Sequence, residues 1–144
     1  MKTYVKVALF FVIFIALAAI LAALYFYNLK ATDMSKAKPD FIVTASALQK
    51  AFEDDETRAS ITFINKIVEV TGNIASVKPA ENSVVSISMV TESDLSSVIC
   101  TFPAVSDPSI FRVGDQITLR GECSGFLMDV LLNNCALIVQ KKEN

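Results

Sequence analysis

From Val7 to Leu29 the chain runs for 23 residues, VALFFVIFIALAAILAALYFYNL, without one charged side chain. As a helix rising 1.5 Å per residue, that stretch reaches about 34 Å, slightly more than the ~30 Å hydrocarbon core of a bilayer. A helix that is apolar on every side needs a large protein to enclose it, and the roughly 105 residues that follow the linker are too few. Lipid is the solvent that fits. Lys2, Lys6 and the terminal amine precede the run and Lys30 follows it. Tyr25, Phe26 and Tyr27 stand at its carboxyl end, where amphipathic rings favour the headgroup layer. A cleaved secretory signal has a shorter apolar region, about 7 to 15 residues, ending in a small-x-small site. Only Ala16-Leu17-Ala18 has that form, and it lies in mid-run, while no Cys occurs before position 100 to take a lipid anchor. The expectation is a basic tail over residues 1–6 and a retained transmembrane signal anchor over 7–29. Release of a secreted protein by signal cleavage is the alternative. Positive groups balance across the span, so orientation rests on the brevity of the tail, which stays inside while the carboxyl domain crosses to the periplasmic side.

What lies beyond the span excludes much chemistry. Of thirteen Lys and Arg only Lys2 and Lys6 fall in the first 29 residues, which hold no Asp or Glu, leaving eleven positive against fifteen negative side chains downstream. There is no His and no Trp, and all three Tyr lie within the first 27 residues. Catalytic triads built on imidazole, His-containing zinc sites and His-ligated haem are therefore impossible. The four Gly (Gly72, Gly114, Gly121, Gly125) form no phosphate-cradling loop and no nucleophile elbow. The chain is expected to be no enzyme and to hold no cofactor and no metal.

Residues 30–40, KATDMSKAKPD, are polar and end near Pro39, which is the composition of a tether without core residues. Ser46 and Gln49 have capping-box spacing, and Leu48, Ala51, Phe52, Asp55 and Ala59 follow at helical intervals, predicting one amphipathic helix over 47–59. The period then changes to two. Strands are expected over 67–77, with Gly72 at a bend or bulge, and over 83–90, 97–102, 116–123 and 130–139, the last made irregular by Asn133 and Asn134. One helix and five short antiparallel strands suit a small closed barrel, since an open sheet would leave two unprotected edges.

The residues that carry this pattern resemble a known family. Lys66-Ile67-Val68-Glu69-Val70-Thr71-Gly72, Val98-Ile99-Cys100-Thr101-Phe102, the run from Val113 to Gly125 with its G-x-C-x-G, and Asp129 to Cys135 are together similar to the tRNA_anti-like domains, bacterial OB-folds of largely uncharacterised role. The resemblance covers about residues 40–140. It implies a mainly β fold: a five-stranded OB barrel over 41–140, preceded by one α-helix, and here joined to an N-terminal transmembrane helix. The family name transfers fold and not activity. A membrane-anchored OB barrel that passes haem to c-type cytochromes shares the layout, but its haem attaches through a His.

Four groups of side chains deserve weight. An OB domain that reads single-stranded nucleic acid stacks bases on exposed aromatics along a basic groove. Here six Phe must also furnish the core and the net charge is acidic, so nucleic acid is the alternative partner and not the expected one. Cys100, Cys123 and Cys135 allow one bridge and leave one thiol. Since the fifth OB strand lies between the third and fourth, Cys135 neighbours both others; Cys123 with Cys135 is the pair expected under oxidising conditions, and three buried free thiols are the alternative. The acidic run Glu53-Asp54-Asp55-Glu56 reads as a solvated helix face, because consecutive helical positions diverge. Finally, Phe126-Leu127-Met128 places apolar side chains at a turn. With Arg112 and Arg120 it is the candidate interaction patch, offered to an envelope protein or a small ligand.

Overall fold

The computed structural model describes residues 2–28, 33–79, 81–103, 105 and 107–140. It divides into two compact units, the first ending at Thr32 and the second beginning at Asp33. The first contains a single helix, α1 (Lys2–Asn28), whose side chains are exposed from Lys2 to Phe26. That stretch is long and apolar enough to cross a membrane. Leu29, Lys30 and the start of the expected tether lie outside the described residues.

The second unit contains β1 (Phe41–Thr44), α2 (Ala45–Asp54), α3 (Glu56–Phe63), β2 (Ile67–Pro79), β3 (Val85–Met89), β4 (Val98–Phe102), β5 (Gln116–Leu127) and β6 (Asp129–Gln140). The sheet order is β1-β2-β3-β4-β6-β5, and β2 pairs with β5 to close it. Five strands, β2 to β6, thus make the barrel. Within the barrel all neighbours are antiparallel except β4 with β6, which is the parallel contact expected when the last strand slots between the third and the fourth. Closure is achieved by the length of β2, whose first half, to Asn73, pairs with β5 while its second half, from Ile74, pairs with β3. Gly72 stands one residue before that exchange, and an added Cβ there would come within 2.9 Å of Ala45 Cβ. Period-two alternation then fills the interior with Val68, Val70 and Ile74, Val85, Ile87 and Met89, Val98, Cys100 and Phe102, and Ile117 and Leu119.

Three elements differ from the sequence-based expectation. The single helix is two, broken at Asp55, whose backbone (φ −157°, ψ 90°) leaves the helical region. Asp55 ends α2 and caps α3, its side chain accepting from the Arg58 N–H at 3.0 Å, the geometry that satisfies a helix's orphan donors. Thr44 rather than Ser46 caps α2, accepting from Ala47 N–H at 3.1 Å, and Gln49 is buried instead of completing a capping box. A sixth strand, β1, runs parallel to β2 on the side away from β5. Asp40 fixes that pairing: its N–H donates to Ile67 O at 2.8 Å and its carboxylate accepts from Ile67 N–H at 2.9 Å.

Residues 33–40, expected as tether, belong to the folded unit. Met34 is only 3% exposed. Arg120 fastens the segment: its Nε donates to Glu69 at 2.7 Å, and its Nη1 donates to Ala37 O at 2.7 Å and Ser35 O at 3.3 Å. With 18% and 16% of their side chains exposed, Arg120 and Glu69 form a largely desolvated pair held in register across β5 and β2.

Candidate interaction groove

Strand β5 reaches Leu127 and β6 starts at Asp129, so the two are joined through Met128 alone. Such a connection forces a positive φ, and Met128 adopts +68°, a region in which a non-glycine L-residue is strained by about 1–2 kcal/mol. Despite that cost, an apolar side chain occupies the tip and is 74% exposed, beside Leu127 at 79%. Phe126, the third residue of the expected patch, points the other way. It stacks on Phe52 of α2 with ring centroids 5.4 Å apart and planes 18° apart, which binds the hairpin base to the helix.

Across from the tip lies the β3–β4 connection. Asp129 pins it, accepting from Ser97 N–H at 2.7 Å and Ser97 Oγ–H at 2.9 Å, and Leu95 emerges from it 86% exposed. Between these two loops and the α2–α3 junction runs an open groove of about 680 Å³, lined by Glu53, Glu56, Leu95, Ser96, Phe126, Leu127 and Met128. Ser96 is buried, and its hydroxyl has no hydrogen-bond partner among the described residues. A buried hydroxyl left unpaired costs about 1–3 kcal/mol.

The four carboxylates of the acidic run have different surroundings. Asp54 faces Lys50 at 3.5 Å and Asp55 is consumed by its cap, whereas Glu53 and Glu56 both line the groove. Ser93 Oγ–H donates to Glu53 Oε1 at 2.9 Å and so orients one of the two carboxylates. Leu95 and Ser96 were not candidates in the sequence, and Glu53 and Glu56 were read there as a solvated helix face. Nothing in a linear pattern brings residues forty positions apart to one rim.

Of the expected patch, the structure gathers Phe126, Leu127 and Met128 and leaves the two arginines elsewhere. Arg120 lies six residues up β5, about 20 Å along an extended strand, with its guanidinium committed to Glu69 and the 33–40 segment. Arg112 precedes β5, at its opposite end, exposed in the turn where Asp115 N–H donates to Arg112 O at 3.2 Å. The outward residues of β3 and β4 are Ser86, Ser88, Ile99 and Thr101, with Lys78 of β2 beside Ser86. All six Phe of the domain belong to the core cluster or pack against it.

Relaxing the strained tip gives a prediction for stability. Met128→Gly stabilises the domain by about 0.5–1 kcal/mol, read from chemical denaturation, because glycine adopts this φ without strain but orders at greater entropic cost. Loss of stability on that substitution would mean that the methionine packs against the fold.

The cysteines are all free and buried. In the β5–β6 register Cys123 lies opposite Leu132, and the expected irregularity falls at Asn134, whose φ of +51° bulges the strand. The bulge turns Cys135 over Gly121 and beside Cys100: its Sγ donates to Leu132 O at 3.4 Å and its thiol contacts that of Cys100. Burial, then the neighbouring Cys135 thiol, pushes the Cys100 thiol well above its ordinary value of 9.0, and burial raises Cys123 as well. A group whose folded pKa is raised stabilises the fold below its unfolded pKa, and that contribution disappears as pH climbs above it. Thermal stability is therefore expected to hold to about pH 9 and fall beyond it, with Cys100→Ala reducing the fall. Thiol titration should find no rapid reaction in the folded chain and three thiols after denaturation; a single thiol would establish a bridge.

A closed barrel of five strands in this order, with helices packed on it, defines an OB-fold domain. The chain belongs to the tRNA_anti-like family, which it matches over residues 1–137. Among solved structures it is similar to a protein provisionally described as a nucleic acid-binding lipoprotein, from Klebsiella pneumoniae subsp. pneumoniae MGH 78578, with 17% identity and a TM-score of 0.56 over 67% of this chain and 91% of that one. At that identity the likeness is one of fold. Weaker matches are an Entamoeba histolytica asparaginyl-tRNA synthetase (7% identity, TM-score 0.46, 73% of this chain) and a provisionally described aspartyl-tRNA synthetase from Leishmania major Friedlin (8%, 0.45, 74%). Only 25% and 22% of those two longer chains are covered. No curated protein sequence matches the chain.

Proposed function

We propose that this chain is a single-pass membrane protein that displays a non-catalytic OB-fold interaction module on the periplasmic side of a bacterial inner membrane. In this reading residues 1–6 form the inside tail and 7–29 the span, followed by a short connection and the module, which takes in the fastened segment 33–40 and the barrel to residue 140 and whose work is to hold an envelope protein at the hairpin end of the barrel. The observation that carries it is the exposed Leu95, Leu127 and Met128 set around one groove, with the methionine kept there against backbone strain. Strain of that kind gathers where a surface is used. Anchoring is supported by the apolar helix Lys2–Phe26, and an envelope location by the lipoprotein description of the Klebsiella protein.

Binding of single-stranded nucleic acid is the second reading, favoured by the description of that same protein. Against it stand the acidic balance downstream of the span and the commitment of all six Phe to packing, which leaves the β3–β4 face without a stacking platform. The two separate on salt: a nucleic-acid reader retains oligonucleotide with an affinity that falls steeply as salt rises, and an interaction module does not.

Fractionation tests location. The full chain should sediment with inner membranes, resist high-salt and carbonate extraction, and lose its domain to protease added to spheroplasts. Recovery of soluble chain trimmed beyond Leu29, or protection of the domain in intact spheroplasts, would contradict the reading.

A further inference from the structure

The groove has a chemistry more specific than apolar. Its walls are Leu95 from one loop and Leu127 with Met128 from the other, all three more than 70% exposed, and its rim on the helix side is made of two carboxylates, Glu53 and Glu56. Glu56 opens α3, and Glu53 is oriented by Ser93. Lys50, the cation one turn before Asp54, is paired with Asp54. Beneath the rim Ser96 holds a buried hydroxyl that no group among the described residues satisfies. An anionic lipid surface or a phosphate backbone would be repelled by such a rim, whereas a strand or helix with apolar residues and lysine or arginine would match walls and rim together.

Resting on the reading of this end of the barrel as the contact surface, we propose that the groove captures a cationic, apolar-anchored segment of a partner protein. Its leucine-like side chains pack between Leu95 and Leu127–Met128, and its Lys or Arg side chains pair with Glu53 and Glu56. The sequence marked the acidic run only as a solvated face; Glu53 and Glu56, three positions apart on either side of the break at Asp55, both border the apolar walls. Charge sets the approach and specificity of the segment, and the apolar contacts its residence time.

The test uses the full chain in nanodiscs of zwitterionic lipid and two fluorescent twelve-residue peptides, one alternating Leu and Lys, the other Leu and Glu. Anisotropy should show binding of the Leu–Lys peptide that weakens with salt, and none of the Leu–Glu peptide. Combining Glu53→Gln with Glu56→Gln should weaken binding at least tenfold, as should Leu95→Ser with Leu127→Ser; circular dichroism of each variant checks the fold. Lys78→Gln, on the β3–β4 side, should change nothing. Unaltered binding in the double Gln variant or equal binding of both peptides would overturn the proposal. Should the peptide fail while crosslinking from Leu127 in cells still traps one envelope protein, the occupant's chemistry is wrong and the contact surface stands. Failure of both removes the surface as well.

Discussion

Gly121→Ala is expected to destabilise the domain by about 2–3 kcal/mol and Gly121→Val to prevent its folding, because overpacking a tight core forces backbone and neighbours apart. A Cβ at position 121 would lie 2.5 Å from Cys135 Sγ, 3.2 Å from Asn133 O and 3.3 Å from Leu132 Cβ. One of those atoms is backbone and another is held by the bulge at Asn134, so neither yields easily. The sulfur can be removed. Cys135→Ala alone costs about 1 kcal/mol, as deletion of a small buried group does. Added to Gly121→Ala it should restore part of the loss, giving a coupling of opposite sign to the single effects. Urea titration of the four proteins measures this directly, and strictly additive losses would show that the strain lies in the backbone contacts instead.

Phe52→Ala is the second large effect, about 3–5 kcal/mol. Phe52 is 1% exposed, stacked on Phe126 and 6.0 Å from the ring of Phe63. Total stability of a domain this size is about 5–15 kcal/mol, so the variant should melt near or below growth temperature. Its defect should also be directional. With the ring gone, the β5–β6 hairpin loses its tie to α2 and should become the first site of proteolytic cleavage, before global unfolding. Phe102→Ala, which removes a ring packed 4.9 Å from Phe111, should cost a similar amount without exposing the hairpin. Equal hairpin sensitivity in both variants would mean that Phe52 supports the core generally and not the groove.

The barrel was legible in the sequence because its physics is local: alternating residues such as Val68 and Val70, or Ile117 and Leu119, announce a half-buried strand wherever they occur. The long apolar helix was legible for a local reason too, its unbroken run of uncharged residues. What the sequence could not show depends on contacts between distant positions. Four residues, Phe41–Thr44, are too few for a period to emerge, and β1 exists because Asp40 reaches Ile67. The break at Asp55 involves neither Pro nor Gly and is visible only once the side chain is seen capping α3. Arg120 reads as an available cation until its register partner, 51 positions away, is known to be Glu69. The hairpin tip was found from its anomalous apolar character, whereas Glu53, Glu56, Leu95 and Ser96 join it only through tertiary packing.

The contact surface itself is tested most directly by photo-crosslinking in intact cells, with benzoylphenylalanine replacing Leu127 in one strain and Ser88, on the outward β3–β4 face, in another. The account predicts a discrete protein adduct from position 127, lost when Glu53 and Glu56 are both changed to Gln, and no adduct from position 88. A nuclease-sensitive adduct from position 88 with nothing from position 127 would contradict it.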